Sequence, residues 1–179
     1  MARILLLLSF ICLIAGCRGD LQGDRLFEVQ YPVLNFPIPA GQVAFRSYTV
    51  QQNNLPTQFA RAMADAGVDA DDVDLVGGLR ARVVSQTGDD FGEFDRIELR
   101  VCAVDQTVCE PGLSLLFSVD DLFRRRQLTV NLNPGLRNFR ELFLNERMNV
   151  ELVFFANNVT TVALDARLEW SVQAIGNLE

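Results

Sequence analysis

Apolar and polar positions alternate along most of the chain. Phe27, Val29, Tyr31 and Val33 alternate with Glu28, Gln30 and Pro32. Such a period of two marks a half-buried strand. Pro32 cannot donate to a ladder, so this first strand is expected at a sheet edge. Val43 and Phe45, then Tyr48 and Val50, predict a second strand with a phase change near Ser47. Further strands are predicted around Leu79-Ala81-Val83, Ile97-Leu99-Val101-Ala103, Leu113-Leu115-Phe117-Val119, Leu128-Val130-Leu132 and Val150-Leu152-Phe154-Ala156. The longest run is the last, Val162, Leu164, Ala166, Leu168, Trp170, Val172 and Ala174 against Asp165, Arg167, Glu169, Ser171 and Gln173. Two stretches break the pattern. Phe59 and Met63 stand four apart after Pro56, and Leu136, Phe139 and Phe143 follow a helical period after Asn133-Pro134-Gly135. Each predicts a short helix. Together these elements predict an all-β domain: an antiparallel β-sandwich of about eight strands with two short helical crossings. A closed barrel is the alternative. One polar face per strand predicts a sheet packed on one side only.

The first sixteen residues have a different character. Met1-Ala2-Arg3 is followed by Ile4 to Ala15, almost all Leu, Ile, Phe and Ala. A run of that length falls short of the roughly 20 residues a membrane-spanning helix needs. It suits the apolar core of a secretory signal peptide. The run ends Leu13-Ile14-Ala15-Gly16-Cys17, which resembles the lipobox of bacterial lipoprotein precursors. The resemblance implies cleavage after Gly16 and acylation of Cys17, leaving residues 1–16 as signal peptide. Residues 17–25 then form a polar, glycine-bearing tether and residues 26–176 the β-sandwich domain. The resemblance places the protein in the bacterial cell envelope, held to a membrane by its N-terminal lipid. Position 18 is Arg rather than the Asp that retains many such proteins at the inner membrane, so the outer membrane is expected. The whole pattern is similar to that of small β-sandwich lipoproteins of bacterial envelopes.

Charge and residue types narrow the chemistry. The net charge is −7, with 16 basic residues, every one of them Arg. Nucleic-acid affinity comes from neutralising phosphates, so a nucleic-acid partner is not expected. The basic run Arg124-Arg125-Arg126 reads as a solvated strand entrance, with contact to anionic lipid phosphates as the lesser alternative. There is no His, which removes the usual triads and the commonest metal ligand. There is no Lys, which removes Schiff-base chemistry. What remains catalytically is a pair of carboxylates, as in glycosidases. No cofactor is called for.

Of four cysteines, Cys12 lies in the signal segment and Cys17 in the lipobox. Cys102 and Cys109 remain, in an oxidising compartment where a disulfide is expected. Folding the chain back at Asp105-Gln106 brings them together across a hairpin, through a tight turn or a longer loop. A ring of this size contributes about 2.5 kcal/mol through loop entropy. Acidic residues cluster at Asp65 to Asp74 and at Asp89 to Asp95. The first cluster lacks the spacing of a calcium-binding EF-hand loop and reads first as a solvated loop; the second reads first as a turn with Phe91 and Phe94 packed beneath it, and calcium is the lesser alternative at each.

The expectation is a membrane-anchored, non-enzymatic structural or binding module, with an envelope protein or a glycan as its possible partner. A glycan- or calcium-binding module and a carboxylate-dependent hydrolase stay open as alternatives.

Overall fold

The computed structural model describes residues 23–177; the expected signal peptide and Cys17 lie outside the described residues. Nine strands form: β1 (Asp24–Gln30), β2 (Leu34–Ile38), β3 (Ser47–Pro56), β4 (Val73–Ser85), β5 (Phe94–Cys102), β6 (Leu115–Val119), β7 (Thr129–Pro134), β8 (Arg147–Ala156) and β9 (Leu164–Gly176). Between them lie helices α1 (Phe59–Ala66), α2 (Pro111–Ser114) and α3 (Arg140–Phe143), and a 3-10 turn at Ala70–Asp72. Every ladder is antiparallel.

The fold is all-β, as the alternation predicts, but in place of the expected β-sandwich of two sheets it is one sheet curled into a half-barrel. One sheet runs β1-β9-β4-β7-β6-β5-β8-β3, with β2 continuing the β1 edge along β9. Ladder pairing joins its two halves only at Phe117–Pro134 and Ser118–Asn133. The sheet curls there and folds its halves over a shared apolar core. The free edges approach without a ladder: the Tyr48 hydroxyl on β3 donates to the Pro37 carbonyl on β2 at 2.9 Å.

Pro32 does sit on an edge, and it splits that edge. The Tyr31 amide still bonds Trp170, and pairing then lapses until Leu34 meets Leu168. The expected strand 27–33 therefore becomes β1 and β2. Three other expectations change. Val43 and Phe45 precede β3 and are exposed. Leu113 lies in α2 and is exposed, while a bulge opposite Leu99/Arg100 turns both Leu116 and Phe117 inward. Leu128 stands outside β7, exposed.

Helices α1 and α3 cover one end of the half-barrel. Phe59 of α1 packs on Phe27 of β1, with ring centres 5.2 Å apart, and on Phe143 of α3 at 5.1 Å. At Gly78 the two halves of the sheet come close enough that a side chain there would run into the Phe117 ring.

Tyr31 ties the β1 edge to the chain leaving β3. Its ring stacks on Trp170 at 3.9 Å, and its hydroxyl donates to the Thr57 carbonyl at 2.7 Å. Burial raises the phenol's pKa well above its ordinary value. The folded protein therefore keeps its proton where the unfolded chain, near pH 10, gives it up. The contribution of Tyr31 to stability should be constant from neutral pH up to that pH and fall as pH rises above it. With no Lys in the chain, few other side chains change charge in this range. Tyr31→Phe should cost about 1 kcal/mol at neutral pH and flatten the alkaline loss. Urea midpoints between pH 8 and 11 check both. An unchanged alkaline slope in the variant would disprove the assignment.

Candidate functional site

Cys102 is the last residue of β5, and Cys109 lies in the loop that follows. Their sulfurs are bonded, with Cα atoms 5.4 Å apart. The disulfide is where the sequence places it, but it is not a cross-strand staple. The chain does not return as a strand until Leu115, after α2, so the bond closes a loop onto the end of β5. Cys102 points away from the core face, as its register predicts, yet both cysteines are buried.

The reason is a polar platform on β8 beneath the loop. Asn149 Nδ2 donates to the Gln106 carbonyl at 2.8 Å, while Asn149 Oδ1 accepts the Asn54 amide at 2.9 Å. Glu151 accepts from the Cys109 amide at 3.2 Å and from Gln51 Nε2 at 2.9 Å. Side by side, Arg100 bonds Glu98 along β5, and the Arg96 guanidinium lies 4.0 Å over the Phe155 ring. Glu98, Arg100, Asn149, Glu151 and Val153 are all buried. The outer face of β5 and β8 is thus not the open polar face that alternation predicts. Ion pairs, a cation-π contact and the stapled loop occupy it.

A second charged region lies on the outside of β1, β4 and β9. Arg80 bonds Glu28 at 2.8 Å. Glu169 accepts from Arg82 Nε at 2.6 Å and forms an ion pair with Arg167, whose Nε lies 2.9 Å away without hydrogen-bond geometry. Arg80, Arg82 and Glu169 line a cleft of about 520 Å³ with Gln30, Asn131 and Ser171. The Arg80 guanidinium holds the Glu28 carboxyl below its ordinary range, against a smaller opposing effect of burial. A hydrolytic acid needs the reverse, a carboxyl kept protonated at neutral pH. Each carboxylate here is neutralised by its own arginine.

The acidic clusters serve the fold locally. Asp72 turns back to accept the Asp69 amide at 2.7 Å, capping the 3-10 turn that leads into β4. Asp90 accepts the Gly92 amide at 2.8 Å. Glu93 accepts both amide and hydroxyl of Thr161, and Phe91 and Phe94 are buried beneath. Among the described residues, no group of three or more carboxylates or cysteines is placed to hold a metal ion. Arg124, Arg125 and Arg126 are exposed at the approach to β7, as a solvated strand entrance would be. Trp170 is in the core.

No protein-family model and no curated sequence matches the chain. Two viral structures are similar in chain course. A chain of Desmodium yellow mottle tymovirus is 8% identical, with 92% of this chain and 98% of that one aligned, at a TM-score of 0.28. A chain of Cocksfoot mottle virus is 9% identical, covering 92% and 90%, at 0.27. Likeness at that level says nothing of what this chain does. Among the described residues, no helix is long and apolar enough to cross a membrane.

Proposed function

We propose that this chain is a lipoprotein of the bacterial outer membrane, anchored through an acylated Cys17, whose β-domain is a non-enzymatic structural or binding module. The observation that carries the proposal is the segment Leu13-Ile14-Ala15-Gly16-Cys17 at the end of a short apolar run. Two acyl chains anchor stably, because each buried CH₂ contributes roughly 0.8 kcal/mol. The domain needs no further membrane element for such an attachment.

The ion-paired surface supports the non-enzymatic reading over a carboxylate hydrolase. Glu28 and Glu169 are locked to arginines, and Glu28 is shifted toward its charged form. A glycan platform of several exposed rings is not formed by the described residues. Phe45 is the one aromatic among the exposed large apolar side chains.

Cys17→Ser tests the anchor. In cells fed labelled palmitate, the wild-type protein should carry label and sediment with outer-membrane vesicles. The variant should lose the label and either remain unprocessed or appear soluble. Labelled, membrane-bound Cys17→Ser protein would refute the proposal.

A further inference from the structure

We infer that the end of the half-barrel where the chain enters is a lipid-contact surface, resting on the bilayer through the exposed side chains Val104, Val108, Leu113 and Leu136. The inference rests on the anchor at Cys17 and adds an orientation and a second point of contact.

Strand register fixes which loops share that end. Asp24, where β1 begins, pairs with Gly176, and so does Val73. The end of β5 at Cys102 pairs with Asn149 near the start of β8. The connections at this end are therefore residues 57–72, 103–114 and 135–146. The opposite end carries residues 39–46, 86–93, 120–128 and 157–163. β9 runs from one end to the other through 13 residues, roughly 40 Å at about 3.3 Å per residue.

Only residues 18–23 separate Cys17 from β1. Fully extended, they reach about 20 Å, half the length of the domain. An acylated Cys17 therefore holds the entering end at the lipid surface. Held upright, the domain keeps its other end clear of it. Of the ten large exposed apolar side chains among the described residues, four stand in the connections of the entering end and five at the opposite end, so the reach of the tether, and not the number of apolar side chains, selects the entering end. Leu136 is fully exposed, and Val104, Val108 and Leu113 are each more than half exposed.

Their mounting is rigid. Val104 and Val108 lie inside the ring closed by Cys102 and Cys109 and held from below by Asn149. Leu136 leads into Asn138, whose side chain accepts the Val76 amide at 3.0 Å and donates to the Asp74 carbonyl at 2.9 Å. Apolar side chains on fixed loops lose little conformational freedom on entering the headgroup region. The same end carries Asp69, Asp71, Asp72 and Asp74, so the attraction is apolar rather than electrostatic. Contact should therefore be weaker on anionic than on zwitterionic lipid at low salt, and the difference should shrink as salt screens the carboxylates.

Lipid-depth quenching decides the matter. The acylated protein, isolated from membranes, is reconstituted on phosphatidylcholine vesicles with brominated acyl chains. Leu136→Trp, Val108→Trp and Phe45→Trp are compared after subtracting the emission of the buried native Trp170. All three replace exposed side chains, and far-UV circular dichroism matching wild type confirms the fold. Added tryptophan at positions 136 and 108 should be quenched several-fold more than at position 45. Equal quenching, greater quenching at position 45, or no quenching on vesicles that still carry the protein would overturn the inference and leave the anchor standing. Protein that fails to float with the vesicles would overturn the anchor, and the inference with it.

Discussion

Phe154→Ala should destabilise the domain by about 3–5 kcal/mol, the range for truncating a fully buried aromatic residue. Phe154 is fully buried on the inner face of β8. Its ring lies 5.8 Å from Phe36 on β2, 6.5 Å from Tyr48 on β3 and 5.4 Å from Phe94 on β5. Phe36 belongs to one half of the folded sheet, and the other three belong to the facing half. These contacts bridge the gap that no ladder closes, between the β2 and β3 edges. Each aromatic pair adds about 0.5–1.5 kcal/mol beyond area burial. The surrounding rings are held by their own strands and cannot collapse into the void. A domain of this size is stable by only about 5–15 kcal/mol, so the variant should unfold at much lower denaturant. Phe155→Ala is the control: its ring lies on the outer face under Arg96 and should cost less than half as much. Equilibrium urea denaturation of both variants checks the prediction. A cost below 1 kcal/mol for Phe154→Ala would mean that the edges are not held together at this point.

What the sequence made legible follows from which forces are local. The alternation over β8 and β9 matches the structure: Val150, Leu152, Phe154 and Ala156, and Leu164, Ala166, Leu168, Trp170, Val172 and Ala174, are all buried, while Val162, at the start of the expected run, lies before β9 and is exposed. A half-buried strand writes its own period. β2 leaves no clear alternation because Pro37 and Pro39 flank Ile38, although Phe36 and Ile38 are buried; as an edge strand it tolerates a proline that an inner strand would not. The second helix was expected from Leu136 but begins at Arg140. Asn138 accepts the Arg140 amide at 2.9 Å and starts the helix there, leaving Leu136 in solvent. The curl of a single sheet depends on the two residue pairs joining β6 to β7, which no periodicity encodes. The same limit hid the candidate surfaces. Glu28, Arg80, Arg82 and Glu169 were each legible as outward-facing. Their pairing depends on β9 lying between β1 and β4, a fact of topology. Asn149 and Glu151 read as ordinary polar alternates on β8, and nothing nearby in sequence tells that a loop from β5 descends onto them.

That loop supports a second large effect. Removing the disulfide, with Cys102→Ala and Cys109→Ala together, should cost about 2.5 kcal/mol, the loop entropy of a ring of eight residues, and leave the strands in place. The core residues of β5, Ile97, Leu99 and Val101, face the other way. The loop also has a second restraint, because Asn149 holds the Gln106 carbonyl and Glu151 the Cys109 amide. The two restraints act on the same few residues, so their losses should not add. A double-mutant cycle between the cysteine pair and Asn149→Ala should give a coupling of about 0.5–3 kcal/mol, as expected for groups sharing one element. Burial adds a kinetic expectation. Both cysteines are buried, so dithiothreitol should reduce the native bond far more slowly than the same bond in urea. Mass spectrometry after alkylation, with and without denaturant, follows that difference, and far-UV circular dichroism reports the fold. Two alkylatable thiols in the untreated native protein would show that the bond does not form. Loss of the β-signal on reduction would show that the loop, rather than the apolar core, holds β5 and β8 together.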